Sequence, residues 1–262
     1  MSIPKPAFNP ILESIPKPVF RSGGMTAMLC GTLIATSAAL AHDIRAKPDA
    51  KVPPAFDITS ASASTDGRLA TFTMEVTGQA GAQKPKKVGK LAGAKVDAYV
   101  WPTKLDPAAV GFASGSGILA LAITAHPDFD DTPLFDENGD GDPNNDGAGW
   151  HSHWVVLGED AACAGGLKVR DISPGQDVLP ATAPGLPLAL DSPGMSPILK
   201  GKSVRITVPV KGAENVNFDA VAAHLQVHEK GGTPLLCVTG TYKVASGKLT
   251  LPGVIVKQAD KK

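Results

Sequence analysis

Residues 126–157 read HPDFDDTPLFDENGDGDPNNDGAGWHSHWVVL and hold three of the six histidines and two of the three tryptophans in the chain. The stretch opens with His126 and a run of acids and continues as a ladder of Asp and Asn. It closes with His151 and His153 set between Trp150 and Trp154. Two kinds of metal chemistry are written here. Clustered short carboxylates and amides are hard oxygen donors, which suit calcium. Closely spaced imidazoles are borderline nitrogen donors, which suit copper and zinc.

In the ladder, Asp136, Asn138, Asp140, Asp142, Asn144 and Asp146 fall at alternate positions, with Gly139, Gly141 and Gly147 between or after them. Calcium takes roughly six to eight oxygens at once, and one such loop can supply them. The glycines let the backbone fold around an ion. The first six residues match the opening of an EF-hand loop, D-x-N-x-D-G. The twelfth position is Gly147 and not the bidentate Glu that loop requires. The ladder therefore resembles the Asp-rich calcium loops of extracellular modules and predicts a structural calcium site. Asp128, Asp130 and Asp131 are placed to add ligands from upstream.

An extended backbone through the Trp-flanked histidines puts His151, His153, Val155 and Leu157 on one face. Trp150, Ser152, Trp154 and Val156 take the other. Two imidazoles at i and i+2 can share one ion, so His151 and His153 are the predicted copper or zinc ligands. His126, beside Pro127 at a strand end, is placed to cap or orient the loop. His224 and His228 would lie roughly 13 Å apart on a strand, so at most one would join a common site.

The first 41 residues read as an address. Lys5, Lys17 and Arg21 precede an uncharged apolar run, residues 25–40, which ends in Ala39-Leu40-Ala41. Basic region, short apolar region and small-residue site define a secretory signal peptide. The run is shorter than the roughly 20 residues of a membrane span. Cleavage after Ala41 makes His42 the mature N-terminus, where the α-amine and imidazole can chelate one ion. With a third imidazole this is a nitrogen-rich set that suits Cu(II). The arrangement resembles the copper site of lytic polysaccharide monooxygenases and of small periplasmic copper-binding proteins, and that resemblance places His42 among the copper candidates. Export leaves Cys163 and Cys237, an even count that predicts one disulfide in an oxidising compartment.

The elements that must position these groups read as strands. Thr65-Asp66-Gly67 between the β-rich runs 56–64 and 68–77 is a hairpin signal. Ala70, Phe72, Met74 and Val76 alternate with more polar neighbours, which predicts one buried face. Residues 95–101 form a strand ended by Pro102, and the apolar run 118–125 is short enough for a buried strand. Residues 167–172, 204–210 and 248–256 add further strands. Residues 219–229 fit helical spacing as well, but Gly231-Gly232 followed by the run 234–244 favours a hairpin. The segment 173–201 holds six prolines and predicts a long surface loop. The expected fold is all-β: a single antiparallel β-sandwich or barrel-like domain with long loops, residues 42–262, after a signal peptide, residues 1–41.

With 25 basic and 25 acidic residues the chain is formally neutral, so no field for nucleic acid or anionic membrane is expected. Residues 111–117 are Gly- and Ser-rich but carry neither a P-loop ending nor G-x-S-x-G spacing. The sequence therefore predicts an exported, periplasmic or extracellular protein whose partners are metal ions, with no integral membrane segment in the mature chain. It reads as a binder more than an enzyme. A copper-dependent redox enzyme and a calcium-stabilised adhesion or matrix module are the alternatives.

Overall fold

Alternation of apolar and polar side chains, broken by Gly, Pro and Asp turns, yields strands throughout. The computed structural model describes residues 43–132, 134–136, 140–173, 175, 178–229 and 234–258. The expected signal peptide, His42 and Asn138 lie outside the described residues. In chain order the strands are β1 (Ile44–Arg45), β2 (Ile58–Thr65), β3 (Leu69–Val76), β4 (Lys95–Pro102), β5 (Ile118–Ala125), β6 (His151–Glu159), β7 (Leu167–Val169) and β8 (Leu190–Asp191). They continue as β9 (Ile198–Lys200), β10 (Ser203–Pro209), β11 (Asn217–Phe218), β12 (Val221–Val227), β13 (Leu236–Val244), β14 (Gly253–Val254) and β15 (Val256–Lys257). Among the described residues there is no α-helix, only two short 3-10 turns.

The expected all-β fold is present, and it combines both of the architectures anticipated. One sheet runs β1-β2-β3-β10-β9, with β15 beside β2. The other runs β5-β4-β12-β13-β7-β6, and β6 pairs back onto β5, so these six strands close into a barrel. The hairpin between β2 and β3 turns at Asp66, whose carboxylate accepts the Arg68 and Leu69 amides at 2.8 and 2.7 Å. Gly67 there has φ 93°, a left-handed conformation that favours glycine.

Each barrel strand serves two cores because its side chains alternate. The outward residues Tyr99, Trp101, Leu121, Ile123, Trp154 and Val156 pack against Phe56, Phe72, Met74 and Ile206 of the open sheet. The inward residues, among them Val96, Ala98, Val100, Ala122, Val155 and Leu157, line the barrel lumen. The register arranges the lumen in rows: Val221, Val100, Ala122 and His153 lie side by side, as do Ala223, Ala98, Thr124 and His151.

The segment 173–201 departs from the expected surface loop. Leu188, Ala189, Leu190, Asp191 and Ser192 are buried, and β8 pairs with Trp154 and Val155 of β6. Pro187 and Pro193 bracket this stretch, so the prolines leave a short run of free amides that complete the edge of β6. The predicted disulfide is formed: Cys163 and Cys237 are joined with their Cα atoms 5.2 Å apart, tying the β6–β7 turn to β13. That bond is compatible with export, and no helix among the described residues is long and apolar enough to cross a membrane.

Candidate metal centre

Strand alternation delivers the histidines to one end of the lumen. His151 and His153 share the inward face of β6 with Val155 and Leu157, as the spacing predicted. On β5 the inward face is Ala120, Ala122 and Thr124, and His126 is the next residue in that period. Because β5 and β6 pair antiparallel, with Thr124 opposite His151, His126 meets His151 at the barrel end. The His126 amide donates to the Gly147 carbonyl at 2.7 Å, so both ends of the acidic loop return to the same place. A Cβ on Gly147 would fall 1.9 Å from the Phe129 carbonyl oxygen, so only glycine permits this approach.

That closure carries Asp131 over the histidines. Asp130 accepts the Thr132 and Asp146 amides at 2.9 and 3.1 Å and pins the loop on either side of it. His126, Asp131, His151 and His153 are all buried, and one ligand atom from each lies within 4.8 Å of the others. His126 Nε2 is 2.8 Å from His151 Nε2 and 3.3 Å from Asp131 Oδ1. Asp131 Oδ1 is 3.8 Å from His151 Nε2, and Asp131 Oδ2 is 3.7 Å from His153 Nε2. Zinc–nitrogen bonds of about 2.0–2.1 Å imply donor separations of roughly 3.3 Å in a tetrahedral site. The four distances bracket that value.

The outer contacts orient the rings. His126 Nδ1 is 2.9 Å from the Phe129 carbonyl oxygen, and its ring stacks on Phe129 with centroids 4.3 Å apart. A carbonyl can only accept, so Nδ1 carries the proton and a neutral His126 presents its lone pair at Nε2. His153 Nδ1 lies 2.9 Å from Ser192 Oγ, while its buried Nε2 makes no hydrogen bond. Ser192 belongs to the segment that the prolines had marked as a loop. Hydrogen bonds of this kind on the outer ring nitrogen are how metal-binding histidines are held.

Burial works against the Asp131 carboxylate, yet the three histidines, His153 foremost, hold its pKa well below the usual range. Burial opposes charge on His126 too, but Asp131 outweighs it and raises that imidazole. Burial lowers His153, with Asp131 opposing. Burial and the neighbouring His126 and His153 lower His151 well below its ordinary value. At neutral pH the site thus offers neutral imidazoles on His151 and His153 against an anionic Asp131.

The ladder behaves differently. Asp136, Asp140, Asp142 and Asn144 are exposed, whereas Asp146 is buried. Asp136 accepts the Asp140 and Gly141 amides at 3.1 and 2.7 Å, and Asp142 accepts the Asn144 amide at 3.0 Å. Asp128 accepts the Val88 and Gly89 amides at 2.8 Å and anchors the lysine-rich loop. His224 sits on β12, as the strand reading required, and its Nδ1 contacts Thr239 Oγ1 at 2.8 Å away from the cluster.

His126 and Asp131 join the site in roles that spacing had not assigned them. The signal for His126 was available: it continues the inward period of β5. Asp131 carried none, since three nearby aspartates share its composition and only the loop path selects it. Comparison with protein-family models, with curated proteins and with solved structures finds no match. The site therefore rests on its own geometry.

Proposed function

We propose that this is an exported metal-binding protein that holds one divalent transition ion between His126, Asp131, His151 and His153, with zinc the first choice and copper the second. The observation that carries this reading is the buried convergence of three Nε2 atoms and a carboxylate, with two imidazole nitrogens 2.8 Å apart. Two lone pairs at that distance repel unless a proton or a cation lies between them. A divalent ion also relieves the buried, unbonded His153 Nε2.

The donor set narrows the metal. It has no thiolate, since both mature cysteines are bridged, so Cu(I) and iron–sulfur chemistry are disfavoured. Three imidazoles are too soft for calcium or magnesium. Four protein ligands at these separations match four-coordinate zinc. Such a site binds its ion firmly, which supports storage, delivery or structural use over turnover. The Asp/Asn ladder is read as a separate calcium loop that stiffens the lid over this end of the barrel, and His42 as a terminal chelate independent of the buried site.

The test is calorimetric titration of chelator-stripped mature protein with zinc and with copper, alongside elemental analysis of protein purified without added metal. One equivalent is expected, and His153→Ala should weaken it by 100-fold or more. Stoichiometric binding that survives His153→Ala and Asp131→Ala unchanged would sink the assignment.

A further inference from the structure

The metal ligands occupy one end of the lumen, and the rest of the lumen has no role in holding them. It is a cavity of about 370 Å3, within the range of roughly 300–1,000 Å3 typical of small-molecule sites. Protein interiors are close-packed and hold few voids larger than a water molecule. Three alanines on its wall leave room: Ala223 is paired with Ala98 on the neighbouring strands β12 and β4, and Ala122 lies beside Val100.

The walls state what fits. Away from the metal end they are almost wholly Val, Leu and Ala, and among the described residues the one Phe, Tyr or Trp lining the cavity, Phe129, is at the metal end and already stacked on His126. A flat ring or a sugar would find no face to stack on, whereas an alkyl chain would be in contact along its length. Most of the polar lining is gathered at the metal end: Thr124, His126, Asp130, Asp131 and His153. His126, Asp131 and His153 border the lumen, so an ion held by them would lie at the cavity wall. To take the oxygen, the four-coordinate ion would expand to five donors, as zinc does at sites with an exchangeable ligand. Leu91 and Leu249 line the cavity yet are 43% and 39% exposed, which marks an apolar route in from solvent.

We propose that the lumen binds an aliphatic molecule of medium chain length with one terminal oxygen donor, its chain among the Val and Leu side chains and its oxygen on the ion of the His/Asp cluster. This rests on the metal reading above, and the experiment separates the two.

Decanoate and 1-decanol are titrated into zinc-loaded and chelator-stripped protein, and zinc affinity is measured in parallel. At least one probe is expected to bind the zinc-loaded form tenfold or more tightly than the stripped form. Leu157→Trp and Val169→Trp, at paired lining positions six residues along β6 from His151, should each cost tenfold or more in probe affinity while zinc affinity stays within twofold. In the unmodified protein, affinity across saturated carboxylates from six to fourteen carbons should rise to a maximum and then fall, which needs no variant to fold. Zinc binding without probe binding, or affinity that climbs with chain length without limit, overturns the lumen proposal and leaves the metal reading intact. Absence of both zinc and copper binding overturns both.

Discussion

The two faces of the barrel wall are built from the same strands and could hardly differ more. On the outer face of β4, β5 and β6, Trp101, Ile123 and Trp154 interlock with Phe72 of the open sheet, with Phe72 and Trp101 ring centroids 5.7 Å apart. On the inner face the same strands present Ala98, Ala122 and Val155, and the space between them stays open. Period-two alternation lets one strand carry stability on one side and a binding site on the other. The filled face supplies the rigidity that holds imidazoles in place on the hollow one.

That contrast predicts unequal responses to substitution. Phe72→Ala empties the filled face and should cost about 3–5 kcal/mol of unfolding free energy. Chemical denaturation reads this directly, and a loss under 1 kcal/mol would mean that the sandwich is not the main core. The barrel has less apolar packing to hold it closed, so it should lean on its staple. Cys163→Ser with Cys237→Ser is expected to cost about 2–5 kcal/mol. An unchanged melting temperature on reduction would contradict that dependence.

Acid should act on the hollow face first. His151 and His153 have lowered pKa values, so they stay neutral when folded but take up protons when unfolded, once pH falls below the ordinary histidine value near 6.5. His126 is raised, so its contribution is fully present below that pH and is lost only as pH rises through its higher folded value. Below about pH 6.5 the two depressed groups therefore set the slope, and stability falls as pH falls. The Asp131 contribution, from a depressed carboxylate, persists until pH drops below about 4. Metal-free protein followed by thermal melting between pH 7.5 and 5 checks this, and rising stability over that range would reverse the assignment of neutral histidines. Metal should widen the effect, because protons compete with the ion for the same nitrogens.

The smallest effect is expected at the ladder. Asp140→Asn with Asp142→Asn should leave zinc affinity within twofold, since these exposed residues serve local backbone amides. The same pair should abolish any calcium-dependent protection of residues 134–149 from proteolysis. A tenfold fall in zinc affinity would show that loop and cluster form one site.

Much of this was legible from spacing. The inward face shared by His151, His153, Val155 and Leu157, the buried face of β3 and the bridge between Cys163 and Cys237 all follow from strand period or compartment logic. Composition is loudest at the ladder. The convergent His/Asp site lies at the ladder's two flanks, where single residues count and composition says little.

The amino-acid sequence determined which residues share a face, because alternation is a property of the extended backbone and needs no partner. The tertiary structure decided which faces meet. Closure of β6 onto β5 brought His126 to His151, return of the loop through Gly147 chose Asp131 from among its neighbours, and burial of residues 188–192 supplied Ser192 to His153. These depend on contacts between residues distant in the chain, whose pairing is set by the packing of the whole barrel.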